Sequence, residues 1–191
     1  MTDAPGTDSP GGAEPSDAAI ARARELLADA ASALREASAR QEFLAEYVPE
    51  RRVLGIPRAA RMAATGRVWR LGALVVDEAG VAYTTGRVVR AERPARKSIT
   101  AESVAEQRAL QAAAVKGGIP EGATVVFDAP EIDLDALGRQ EVGLEVASGP
   151  LVLRDGVVHV RWSPSMPDAL MPLDAYLRDR VDLLVHPPQG A

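Results

Sequence analysis

The sequence predicts an α+β fold, a mostly antiparallel sheet of hairpins packed with three helices. Three observations carry that expectation. Long amphipathic stretches sit near both ends, an Asp155-Gly156 dipeptide separates two apolar runs, and the segments follow the order helix, hairpin, helix, strand, hairpin, helix with no internal repeat.

Residues 1–16 are rich in Pro, Gly, Asp and Ser, bury almost nothing and are expected to form a disordered tail ahead of one domain over 17–186. From Ser16, an N-cap residue with Asp17 beside it, positions at alternating three- and four-residue spacing are Ile20, Ala23, Leu27, Ala30, Leu34, Ala37, Gln41, Leu44 and Val48, apolar except for Gln41. That spacing predicts one helix over 16–48, or two with a break near Ser38, docked on the domain's own sheet; the alternative is a heptad seam of a homodimer. Pro49 ends it, and Pro57 with Gly55 and Gly66 marks an irregular approach to the sheet.

Residues 67–91 then read as one β-hairpin, with Val68, Trp69, Leu71 and Leu74 to Val76 going out, a turn at Asp77-Glu78-Ala79-Gly80, and Val81, Tyr83, Val88 and Val89 returning. Thr100 or Ser103, the latter in a capping-box relation with Glu106, opens a second helix that Gly117-Gly118 stops. A short strand follows at 124–127, then at most one helical turn around Leu134 and Leu137 with Asp133 as its cap. In 151–162 the Asp-Gly pair suits a type I′ turn, whose two central positions need φ > 0; it pairs Leu153 with Val158 and Leu151 with Val160. Pro172 stands where a first-turn proline belongs, before an inward stripe of Leu173, Tyr176, Leu177, Val181 and Leu184.

Composition narrows the chemistry. The 191 residues are 47% apolar and 26% charged, enough to bury a core, while only 4% are aromatic, so Leu, Val and Ala must fill it. The absence of cysteine removes disulfides, thiol nucleophiles and thiolate metal sites, and suits a cytoplasmic protein. The start lacks the basic end and apolar stretch of a signal peptide, and the strongest apolar run, Ala73 to Val76, is far short of the roughly 20 residues of a membrane span. No P-loop or dinucleotide-binding glycine pattern occurs, no G-x-S-x-G elbow, and no Ser is followed three residues later by Lys. His159 falls on a strand beside Arg161, and His186 at a helix end, where a cation is favoured. Glu131, Asp133 and Asp135 form the densest acidic cluster but lack the remaining positions of a calcium loop, so neither metal nor cofactor is expected.

Charge is distributed unevenly. The chain carries 22 basic and 27 acidic residues, net −5, yet 51–97 holds 11 Lys/Arg against Asp77, Glu78 and Glu92. If the first hairpin closes on a four-residue loop, Arg70 opposes Arg87 and Arg67 opposes Arg90, one pair on each face. Like charges directly opposite destabilise a sheet unless a counter-charge lies between them. Arg67, Arg70, Arg87 and Arg90 are therefore the candidate anion-binding residues, facing a small anion or an acidic protein surface; a three-residue loop would dissolve both pairs. A pI of about 5.2 with two Trp and two Phe argues against nucleic acid.

The runs Arg51-Arg52-Val53-Leu54-Gly55, Gly66-Arg67-Val68-Trp69-Arg70-Leu71-Gly72 with Leu74, Thr85-Gly86 and Val160-Arg161-Trp162-Ser163 resemble a family of small actinobacterial proteins without established function, some labelled glutaminase, over about 17–185. That resemblance implies an amidohydrolase acting on glutamine as the alternative to a protein with no catalysis. Known glutaminases use a Ser-x-x-Lys or a cysteine nucleophile, and neither exists here, so no catalytic residue carries over.

Overall fold

The computed structural model describes residues 15–53, 56–93, 102–139, 149–163, 165–166 and 168–187. In chain order the elements are α1 (Pro15–Glu36), β1 (Glu42–Val48), β2 (Arg51–Val53), β3 (Ile56–Arg58), β4 (Arg61–Leu71), β5 (Leu74–Asp77), β6 (Ala82–Thr84), β7 (Arg87–Arg90), α2 (Glu102–Lys116), β8 (Thr124–Phe127), α3 (Leu134–Gly138), β9 (Leu151–Arg154), β10 (Val157–Arg161), β11 (Leu170–Pro172) and α4 (Leu173–Val185). The class is α+β, with mostly antiparallel pairing. A six-stranded sheet runs β6-β5-β4-β1-β8-β7, its β1–β8 pair parallel; β11-β10-β9 form a second sheet and β2-β3 a third. The expected tail lies almost wholly outside the described residues, since α1 begins at Pro15.

Alternation along the paired strands sends Ala45, Met62, Trp69, Leu71, Leu74, Val76, Val125 and Phe127 to one face of the large sheet. That face meets two helical layers. Over β4, β5 and β6 lie α1, α4 and the β9–β10 hairpin, in a cluster with Leu27, Leu34, Val160, Leu173 and Tyr176. Over β1, β7, β8 and the start of β4, where Met62 sits, lies α2, through Leu110, Ala113 and Ala114. Val68, Val75 and Val126 form a smaller cluster from the opposite side-chain set.

Several expectations need correction. The first helix stops at Glu36, not near 48. Ser38 takes φ 53, and the Ala39 N–H donates to the Leu34 carbonyl at 2.9 Å and the Ser38 N–H to Arg35 at 3.0 Å, the paired bonds of a Schellman cap. Leu44 and Val48 belong instead to β1, where aromatic Phe43 and Tyr47 also sit. Second, the seam alternative yields to the expected docking on the domain's own sheet: Ile20, Ala23, Leu27, Ala30 and Leu34 are all buried in the cluster that holds Trp69, Leu71 and Leu74. Third, the approach expected to be irregular is the β2–β3 hairpin followed by β4, which begins at Arg61.

Fourth, the segment 67–91 is not one hairpin. Leu71 pairs with Leu74 around Gly72-Ala73, and the φ of 74° at Gly72 is the positive first position a two-residue II′ turn requires. The Tyr176 hydroxyl clamps that turn, donating to the Leu71 carbonyl and accepting from the Ala73 N–H, both at 2.7 Å. The turn at 77–80 does form, but it joins β5 to β6. After Gly86 the chain crosses to the far edge of the sheet, where β7 pairs with β8. The 155–156 turn, with φ 52° and 71°, and the Leu153–Val158 and Leu151–Val160 pairs follow the sequence reading. Two helix starts do not: α2 begins at Glu102, so Ser103 lies inside it rather than capping it, while Thr100 lies outside the described residues. Pro172 pairs with His159 in β11, a strand the sequence reading lacked, and stands at the N-cap of α4 rather than in its first turn.

Candidate anion-binding ribbon

The register separates the four arginines chosen from sequence. Arg70 faces Val75 and Arg87 faces Phe127, on strands at different positions in the sheet; Arg67 faces Phe43 and Arg90 faces Thr124. Two have carboxylates of their own: Arg70 donates to Glu42 Oε1 at 3.0 Å and Arg87 to Glu106 Oε1 at 3.0 Å. Arg67 stacks on the Phe43 ring, its guanidinium carbon 3.5 Å from the centroid. The repulsion argument therefore does not apply to these residues, and they do not form one site.

The same argument holds at the β2–β3 ribbon. Arg51 lies directly opposite Arg58, Arg52 opposite Pro57 and Val53 opposite Ile56. Directly opposed side chains start only about 5 Å apart at their Cβ atoms. Arg51, Arg52, Arg58 and Arg61 are all exposed, and among the described residues none makes an ion pair or a side-chain hydrogen bond. From 51 to 61 the chain holds these four cations and no acid. A cavity of about 300 Å³ opens at the base of the ribbon, lined by Arg51, Arg58, Arg61, Val48, Pro49 and Ala59. Its walls supply guanidinium forks, which take carboxylate or phosphate oxygens two at a time.

Local sequence explains the ribbon. Val53 and Ile56 are β-formers flanking a two-residue connection that contains Gly55, and Pro57 is tolerated because an edge strand of a two-stranded ribbon has a free N–H side. Ile56 is 63% exposed near its end. The signal missed in the sequence was this pair of β-formers around a glycine; with Leu54 in place of Asn or Asp, the hairpin mark is weak.

Other polar groups have local roles. The His159 Nδ1 lies 3.0 Å from the Val157 carbonyl, and His186 Nδ1 lies 2.9 Å from Asp182 one turn earlier. The Ser163 and Ser165 hydroxyls bond each other at 3.1 Å. Asp133 caps α3, accepting from the Ala136 N–H at 2.8 Å, and Arg24 is bonded at 2.6 Å to Asp135, which holds that carboxyl below its usual range. Among the described residues no His, Asp and Glu gather as a metal site. No helix there is long and apolar enough to cross a membrane.

Asp77 is the busiest carboxylate. One oxygen accepts from the Ala79 and Val81 N–H groups at 2.9 Å and the other from the Tyr83 hydroxyl at 3.1 Å. Burial, the Asp77 charge and hydrogen bond, and then the Glu131 charge push the Tyr83 phenol up to about 12. A raised pKa means that stability from this contact is whole below the ordinary value near 10 and is lost as pH rises through about 12. Alkaline titration of phenolate absorbance should show a late transition from Tyr83, and Asp77→Asn should bring it down; an unchanged curve would refute the pairing.

No family model, curated protein or solved structure matches the chain.

Proposed function

We propose that this is a cytoplasmic binding protein without catalytic function that uses the β2–β3 ribbon to engage carboxylate or phosphate groups of an acidic partner. The observation that supports it most is the Arg51–Arg58 pair, directly opposed and without a carboxylate among the described residues. In the free protein that arrangement is repulsive, so an anion that bridges the two guanidiniums relieves the repulsion as well as forming new bonds. The net −5 of the whole chain keeps the attraction local to the ribbon.

Calorimetry with an oligoglutamate peptide, citrate, inorganic phosphate and an RNA oligomer would test the reading. Each charge-assisted hydrogen bond contributes about 1.5–3 kcal/mol, so losing even one of them already costs roughly tenfold, and Arg51→Ala/Arg58→Ala, which removes both bridged guanidiniums, should weaken oligoglutamate binding by about a hundredfold or more. Raising salt should weaken the wild type in parallel, because the ribbon is exposed. Arg70→Ala, which removes an already paired guanidinium, should bind as wild type. Equal binding by the double variant would refute the site, and preference for RNA over oligoglutamate would refute the class of partner.

A further inference from the structure

A cavity of about 680 Å³ runs between α1 and α4. Its floor is apolar, with Leu26, Val181 and Val185 only partly covered by the core beneath. Its walls carry Asp29, Glu36, Asp174 and Asp182 against Arg22 and Arg178. Both arginines are engaged, Arg178 with Asp174 at 3.6 Å and Arg22 with Glu25 at 3.0 Å. Asp29 and Glu36 make no ion pair among the described residues, though Glu36 accepts a hydrogen bond from the Ser32 hydroxyl at 3.2 Å, and Asp182 lies 2.9 Å from His186. An apolar channel whose border includes two carboxylates without a cation fits an apolar segment bordered by cations.

The chain carries such a segment. The ribbon has exposed Ile56 and Pro57 towards its end and Arg51, Arg52 and Arg58 behind them, with Arg61 following at the start of β4. The charges are complementary: Arg51, Arg52, Arg58 and Arg61 make no ion pair among the described residues, and neither do Asp29 and Glu36.

We propose that copies of this chain associate head to tail, the arginine ribbon of one seated in the α1–α4 groove of the next. The inference rests on the ribbon being the anion-binding element and names its acidic partner as a second copy. Ribbon and groove are different surfaces, so the contact is heterologous, and each added copy leaves one ribbon and one groove unfilled.

Sedimentation velocity at low and high salt is the test, on wild type, Arg51→Ala/Arg58→Ala, and Ala33→Arg, which places a cation at an exposed position of the groove. Wild type should grow past the dimer with concentration and dissociate in salt. Each variant alone should stay monomeric, and an equimolar mixture of the two should stop at a 1:1 dimer, because only one intact ribbon and one intact groove remain. A monomeric wild type, association that survives in the ribbon variant, or a closed dimer that mixing does not reproduce would overturn the proposal. The ribbon's own role is read separately: oligoglutamate binding by a monomeric wild type would leave that reading standing while this one falls, and Ala33→Arg should still bind the peptide.

Discussion

Gly117→Ala is expected to destabilise the fold by about 3 kcal/mol or more, at the upper end of what an added methylene costs in a packed site. Gly117 ends α2 where the helix lies on β4, and a Cβ there would overlap the Met62 carbonyl oxygen of that strand. Met62 is fully buried and its backbone is paired through Tyr47 on β1, so neither partner can retreat without disturbing the middle of the sheet. The neighbouring residue provides the control. Gly118 has φ 88° but open space around it, so Gly118→Ala should cost only the backbone strain, about 1–2 kcal/mol. Urea unfolding would rank the two. A Gly117→Ala midpoint at or above that of Gly118→Ala would mean that α2 does not approach β4 so closely.

These two glycines also explain why one helix end was legible in the sequence and the other was not. Both helices finish in the same motif: the Ile119 N–H reaches Ala114 and Gly118 reaches Val115, as Ala39 reaches Leu34 and Ser38 reaches Arg35. In α2 the left-handed residue is glycine, which announces itself; in α1 it is Ser38, which does not. The apolar spacing of three and four then continued by chance into β1, where Leu44 and Val48 fit a helical stripe as well as they fit a strand. Aromatic Phe43 and Tyr47 were the contrary signal.

The 155–156 hairpin was legible to the residue because Asp-Gly satisfies two positive φ angles locally, whereas the meander of β4, β5 and β6 depends on which turn closes first. Gly72-Ala73 is a weaker mark than Asp77 to Gly80, and both turns form. Recognising only the second placed Arg70 across from Arg87. Nothing local to β7 indicates that it pairs with β8, since that contact is set by the crossover and by the packing of Val89 and Phe127 under α2. What survived was the physical test rather than the residues. Opposed arginines without a carboxylate among the described residues do occur in the basic stretch, at Arg51 and Arg58, in a segment that Pro57 and Gly55 made look irregular.

Trp69→Ala should cost about 3–5 kcal/mol, the range for deleting a large aromatic from a core. Trp69 is 1% exposed, packs in the cluster that joins α1, α4 and the β9–β10 hairpin to the sheet, and donates its indole N–H to the Ala39 carbonyl at 3.0 Å. That bond ties the loop after the Ser38 cap to β4, so the side chain fixes both the packing of α1 and the path into β1. Trp69→Phe separates the two contributions. It keeps most of the volume but leaves the Ala39 carbonyl without its donor, which should cost about 1–3 kcal/mol beyond the smaller ring's lost contacts if the carbonyl stays dry. Fluorescence provides an independent readout, since the chain has two tryptophans and the other, Trp162, is 44% exposed. Both substitutions should remove a blue-shifted component and leave the solvent-exposed emission of Trp162. A native Trp69→Ala protein with unchanged emission and an unchanged urea midpoint would show that α1 is held to the sheet by other contacts, and with it the groove that α1 forms with α4.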